Sequence, residues 1–326
     1  MAEQQGDPRH LETLDRDLDR LSKLEMATSY VGRPLVGPGI SLIFVVLAGL
    51  AAMLFFGDAN NSVVVIIAAC FGAYMALNIG ANDVANNMGP AVGANALSMG
   101  GAIAIAAIFE SAGALVAGGD VVSTIAKGII EPTSMGTAEV FIWAMLAALL
   151  SAALWVNLAT WVGAPVSTTH SVVGGVMGAG IAAAGFAAVN WPTMSAIAAS
   201  WVISPLLSGI VAFMIFISVH KLILDTDDPF ANAKRYVPFY MFAVGFVVTI
   251  LTLTKGLKHI GLELNGWESL GLALLAGIAV STLGVGLLSR IKADPEADRS
   301  FHFASVEKVF AVLMIFTACA MAFAHG

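Results

Sequence analysis

The sequence predicts an all-α polytopic membrane protein, and three observations carry that prediction. The 326-residue chain is 58% hydrophobic and only 11% charged, where an ordinary soluble domain carries about 25% charged residues. Its apolar residues form runs of about 20, the length a helix needs to cross roughly 30 Å of hydrocarbon. The polar residues within those runs gather in short clusters flanked by glycine and proline.

Taken in order, residues 10–26 (HLETLDRDLDRLSKLEM) place Leu11, Leu14, Leu18, Leu21 and Leu24 at spacings of three and four. That is the apolar stripe of an amphipathic helix with charges on its other face. Residues 1–33 have mixed charge and no apolar core, so no cleaved signal segment is expected. Gly32, Pro34, Gly37 and Pro38 then break the helix. Uninterrupted spans are expected at 39–56, 62–80, 98–117, 138–162, 193–218, 237–254, 268–289 and 304–324. Two further apolar stretches, 119–131 and 166–189, are rich in Gly, Ser and Thr and read as interrupted helices. At membrane depth such breaks occur only where the bared backbone is buried in protein or lines a cavity.

Lysine and arginine set the orientation. Arg9, Arg16, Arg20, Lys23 and Arg33 precede the first span, Lys221, Lys234 and Arg235 follow the span ending near 218, and Arg290, Lys292 and Arg299 follow the span ending near 289. All three segments are expected on the cytosolic side of the cell (inner) membrane, the N-terminus included. An even number of crossings must separate the first two, so 166–189 is expected to cross as well. Lys255 and Lys258 then face outward, a minority exception.

The net charge of −7 comes with no basic patch interleaved with aromatics, so no nucleic acid is expected as a partner. Cys70 and Cys319 sit in separate apolar spans and read as small buried hydrophobes. No metal-ligand spacing or disulfide framework is present, and no resident cofactor is expected.

Two clusters carry the chemistry. The first is Asn78-Ile79-Gly80-Ala81-Asn82-Asp83-Val84-Ala85-Asn86-Asn87-Met88-Gly89-Pro90, at the end of a span. On a helix, Asn82, Asp83, Asn86 and Asn87 share a face. They offer carboxylate and amide oxygens to a hard cation and N–H donors to an anion, and Asp83 and Asn82 are candidate sodium ligands. Four polar residues in six are costly at membrane depth without a function. The second cluster is Gly163-Ala164-Pro165-Val166-Ser167-Thr168-Thr169-His170-Ser171. Pro165 suits a first helical turn and Ser and Thr suit the cap, so this reads as the start of a half-helix whose free N–H groups attract an anion. The hydroxyls of Ser167, Thr168, Thr169 and Ser171 add donors, with His170 beside them. Gly174, Gly175 and Gly178 permit a close helix neighbour.

Three weaker signals follow. Glu110, beside Ser111 in the middle of a span, is either a cation ligand or proton relay or a hydrogen-bond partner for a nearby broken helix. Ser123 and Thr124 lie in the other interrupted stretch. Lys127 reads as a snorkelling side chain. No expected span aims an arginine at its centre. An anionic substrate would then be neutralised by helix termini, hydroxyls and a co-bound cation, which favours cation-coupled symport.

At GANDVANN (80–87) and PVSTTHS (165–171) the sequence resembles the inorganic phosphate transporter (PiT) family. The family's first motif is usually GANDVANA, so Asn87 stands where alanine is usual, and Met88-Gly89-Pro90 also departs from the common variants. The resemblance covers roughly 62–326, and the charged N-terminus and extra first span look like its longer bacterial and plastid branch. It implies two inverted repeats, each with both motifs, and a mid-membrane site between them. It implies that Asn82, Asp83, Asn86, Ser167, Thr168 and Thr169 bind phosphate and the coupling cation, H+ or Na+. The organisation expected is a cytosolic segment 1–36, a first repeat 37–222, and a loop plus the beginning of a second repeat at 223–326. Met321, Ala322 and Gly326 line up with Met75, Ala76 and Gly80. A second motif is therefore expected to begin at residue 327, and the chain is expected to be truncated there.

The expected activity is symport of inorganic phosphate into the cell through the lipid bilayer, without enzyme activity. GxxxG-like runs also permit a homodimer. A permease of the same architecture for sulfate or another oxyanion is the first rival. Phosphate keeps a proton at neutral pH that an acceptor such as Asp83 rewards, and sulfate has none. An intramembrane hydrolase would need Ser167, His170 and Asp83 to converge. A membrane anchor or receptor without transport is the remaining alternative.

Overall fold

The structure, a computed structural model, describes residues 35–58, 61–256, 264–300 and 303–326. The N-terminal leucine stripe and Lys258 lie outside the described residues, as do the side chains of 117–127, including Ser123, Thr124 and Lys127.

All major elements are helices. They are α1 (Leu35–Phe56), α2 (Ser62–Gly93), α3 (Met99–Gly128), α4 (Ala138–Trp161), α5 (Thr168–Ala184), α6 (Trp191–Val219), α7 (Pro229–Leu251), α8 (Gly266–Ser289), the short α9 (Pro295–Ser300) and α10 (Ala304–His325). Among the described residues, eight helices are long and apolar enough to cross a membrane. They fall on the eight uninterrupted spans expected from the sequence, and the protein is a multi-pass membrane protein. The remaining long helix, α5, has 17 residues, or about 25 Å at 1.5 Å per residue.

Side chains placed just before the helices start them. Ser98, Thr137, Ser167, Asn190 and Asp228 each accept a hydrogen bond from the backbone N–H three residues on. Asn265 and Glu268 form a reciprocal capping box at the start of α8. Each satisfies one of the N–H groups that a helix start leaves open. α6 and α7 each run into a π-helical turn, at His220–Leu224 and Thr252–Gly256.

Two readings of the sequence change. α3 is helical without a break to Gly128, so 119–131 is not broken until its end. Keeping each N–H on its own helix is the cheapest way to satisfy backbone in an apolar medium, and that outweighs the glycines. α2 likewise runs through the whole first cluster, with Pro90 inside it. The cluster therefore lies within a helix, not at the end of a span.

The chain forms two compact units, one to Leu77 and one from Asn78. In the first, Gly49 lies so close to Cys70 that an added Cβ would meet its sulfur at 2.8 Å. The Cys70 thiol faces the Val45 carbonyl at 3.9 Å, in keeping with a packing role.

The second unit has three buried clusters. α4 and α5 pack together over Ala148, Val173 and Val176. The loops flanking this pair join through an isolated antiparallel bridge, Ile130 to Val189. α7, α8 and α10 meet around Val237, Met241, Leu288 and Val309. The third cluster brings the end of α2 (Met88, Ala91) against α3 (Ala102, Ala106) and α10 (Ala318, Ala322). Its small side chains allow close backbone approach. At Gly113 of α3 a Cβ would overlap the Phe323 carbonyl of α10.

Candidate functional site

The third cluster delivers the end of α10 and the middle of α3 to the polar face of α2, and the α4–α5 turn closes on the same face. Asp83 is buried. Its Oδ2 accepts from the Thr168 hydroxyl at 2.6 Å, across 85 residues of sequence. That length falls in the range of charge-assisted bonds. Thr168 is the first residue of α5 and is itself buried. The same Oδ2 lies 2.9 Å from His325 Nε2. His325 Nδ1 lies 3.6 Å from Glu110 Oε1. Asn87 Nδ2 donates to Glu110 Oε1 at 3.3 Å. Asn87, the residue that departs from the family motif, thus has a partner on α3.

Asn82 faces the other way along the arc, toward the α4–α5 turn. Its Nδ2 donates to Thr160 Oγ1 at 3.0 Å and to the Ala164 carbonyl at 3.2 Å. Its Oδ1 accepts from Val166 N at 3.1 Å. One turn earlier on α2, Asn78 Oδ1 accepts from Asn157 Nδ2 at 2.9 Å. Among the described residues, no buried side-chain nitrogen or oxygen is left without a partner. Such satisfaction is required in an apolar medium.

The start of α5 forms as expected, with a shift. Pro165 precedes the helix, Ser167 is the cap, and its hydroxyl accepts from His170 N at 3.2 Å. The Ser171 hydroxyl donates back to the Ser167 carbonyl. Residues 168 and 170 lie some 200° apart around a helix, so Thr168 turns toward Asp83 and His170 turns away. The His170 ring packs on Trp201 with centroids 4.3 Å apart. With Ser151, Trp155, Ser171, Gly174 and Gly175 it lines a separate shallow groove of about 350 Å³. Of the three glycines expected to admit a neighbour, only Gly175 does, where a Cβ would come within 2.7 Å of the Ala148 carbonyl.

The structure thus joins Asp83, Thr168, Glu110 and Asn87 through His325 in one network, with Asn82 in a neighbouring set of bonds to Thr160 and the α4–α5 turn. Asn86, Ser167 and Thr169 are exposed beside it, and His170 and Ser171 line the other groove. The hydrolase constellation does not assemble: Ser167 bonds the His170 backbone, the His170 ring stacks on tryptophan, and Asp83 pairs with Thr168. His325, Asn157, Thr160 and Asn78 are the members that sequence reading did not assign. The polar spacing of Asn78 and Asn82 on α2 against Asn157 and Thr160 on α4, four and three residues apart, is the signal that could have found three of them. His325 gives no local signal.

Asp83 and Asn82, the candidate cation ligands, carry carboxylate and amide oxygens, the type sodium takes. Both contacts described for Asp83 fall on Oδ2, so Oδ1 adds acceptor capacity. Asn82 Oδ1 already holds one N–H and has one lone pair left.

Known proteins resemble the chain closely. A sequence model of the phosphate transporter family matches residues 79–326. A Helicobacter pylori (strain J99) protein named "Putative phosphate permease" is 43% identical over 313 residues, 95% of this chain and 57% of its own length. A Haemophilus influenzae protein of the same name is 44% identical over 264 residues, 80% of this chain and 62% of its own. A solved structure, "The sodium-dependent phosphate transporter", matches with a TM-score of 0.71 and 35% identity, covering 81% of this chain and 63% of that one. The chain therefore spans about three-fifths of the length of these relatives.

Proposed function

The chain belongs to the phosphate transporter family, and from that premise we propose that it carries inorganic phosphate into the cell across the cell (inner) membrane by cation-coupled symport. This is a family of transporters and not of enzymes. The observation that carries the reading is the junction of Asp83 with Thr168. It sets a buried carboxylate against the first turn of a half-helix, where open N–H groups and the positive dipole end favour an anion. Ser167, Thr169 and Asn86 are the side-chain donors for the phosphate oxygens, joined by the backbone N–H of Thr168, whose hydroxyl is given to Asp83; Ser171, which donates to the Ser167 carbonyl and lines the other groove, is not among them. Asp83 is the acceptor for the proton that phosphate keeps and sulfate lacks, which selects phosphate over sulfate. A cation on Asp83 Oδ1 and the remaining lone pair of Asn82 Oδ1, with Glu110 close by, offsets the charge of the substrate. The sodium in the name of the solved relative supports a cation of this kind.

We read 37–222 as a first repeat and 223–326 as a loop and the beginning of a second. The N-terminus is placed in the cytosol by its lysines and arginines. The test is phosphate uptake into cells lacking their own phosphate transporters, expressing the complete native reading frame. Replacing external sodium with choline at fixed pH, and then varying pH at fixed sodium, separates the two coupling ions. Absence of uptake in every condition would sink the reading.

A further inference from the structure

Asn82 belongs to the motif from which substrate contacts were expected, yet its amide is already engaged. Both Nδ2 hydrogens are used, on Thr160 Oγ1 and the Ala164 carbonyl, and Oδ1 holds Val166 N. It has no N–H left for an anion. What it does hold is the short stretch between α4 and α5, two residues before Thr168. The position of the half-helix start against Asp83 is thus fixed through Asn82.

The register of that contact needs a second anchor, because one amide can follow a sliding helix. Asn157 supplies it. Asn157 Nδ2 donates to Asn78 Oδ1 at 2.9 Å. Asn157 and Thr160 are one turn apart on α4, and Asn78 and Asn82 are one turn apart on α2, so the two contacts are successive rungs between the same helices. Thr160 also bonds the Val156 carbonyl at 2.8 Å, which fixes its hydroxyl for Asn82. Near these rungs α4 buries Ala152, Ala153, Val156 and Ala159, small side chains that offer little interdigitation to fix a register. Polar rungs in an apolar medium have few alternatives and so specify register.

We propose that Asn157 is a positioning residue for phosphate binding: by its bond to Asn78 it sets the α2–α4 register and, through Asn82, the placement of the α5 start on Asp83. This rests on the phosphate reading above. It assigns to a residue outside both signature motifs a part of the substrate affinity.

The test is phosphate uptake by the complete protein, with the amount at the cell surface measured alongside. Two variants are used. Asn157→Leu removes the amide and keeps the branched shape at Cγ. Asn157→Ser keeps a hydroxyl that bonds its own helix and is too short to reach Asn78. Both are expected at the surface, with KM for phosphate raised about fivefold to tenfold, the size of one interhelical hydrogen bond, and with turnover per surface molecule nearly kept. The double variant Asn78→Leu/Asn157→Leu is expected to raise KM by less than the product of the two single changes, since both remove the same rung. An unchanged KM in either variant overturns the proposal. So does loss of Asn157→Ser from the surface, which would make the rung a folding element only. Unmodified protein that takes up no phosphate instead removes the phosphate reading itself.

Discussion

At the residue scale the account turns on one carboxylate with several claims on it. Asp83 holds Thr168 and lies beside His325, and the proposed function gives it the substrate proton or the cation as well. Asp83→Asn keeps the shape and removes the charge, and is expected to lower uptake at least tenfold. Thr168→Val removes the hydroxyl without changing volume. A hydrogen bond to a charged group is worth about 1.5–3 kcal/mol, so a loss of roughly ten- to a hundredfold is expected, with Thr168→Ser restoring most of it. Uptake kinetics on surface-normalised protein check both. A separate expectation concerns Asp298, outside the membrane spans. Hydrogen bonds from the Ser305 hydroxyl and backbone hold its carboxyl below the usual carboxylate range. A carboxyl lowered in the folded state adds stability that is present above its ordinary pKa and fades as pH falls through the lowered value. The junction before α10 is therefore expected to hold at neutral pH and loosen only in strong acid, and Asp298→Asn is expected to remove that dependence. Thermal unfolding of purified protein across pH reads this directly.

At the element scale the sequence was informative wherever the physics is local. The eight long spans follow from apolar length, and the cap at Ser167 follows from a hydroxyl before a helical run. The continuity of α3 was not legible, because glycines that break helices in water are tolerated where the medium offers no other hydrogen-bond partner. The face shared by Asn82, Asp83, Asn86 and Asn87 was legible, but not its division among neighbours. Asn82 turns to α4, Asn87 to α3 and Asp83 to α5 and α10, and those contacts depend on packing between residues far apart in sequence. His325 is the clearest case. It lies 242 residues from Asp83, with nothing around it to mark a site, and it arrives only because small side chains let α10 and α3 come together. That approach is itself testable. Gly113→Leu is expected to push α10 off α3, since even a Cβ there meets the Phe323 carbonyl backbone, and to abolish uptake. Gly174→Ala, with no neighbour near its Cβ position, is expected to be well tolerated. Ser167→Ala is expected to cost about 1 kcal/mol of stability at the α5 start, seen as a lower melting temperature in detergent.

At the scale of the whole molecule, composition, fold and relatives agree on a multi-pass membrane protein of the phosphate transporter family. The chain matches relatives over about three-fifths of their length, and the proposed transport is assayed on the complete reading frame. The central claim is that a buried carboxylate and a half-helix start select phosphate by its proton. Radiolabelled phosphate uptake in cells lacking their own phosphate transporters, with excess unlabelled sulfate as competitor, tests it most directly. The expected result is uptake that sulfate leaves unchanged and that Asp83→Asn removes. Uptake abolished by sulfate, or undiminished in Asp83→Asn, would contradict the role given to that carboxylate.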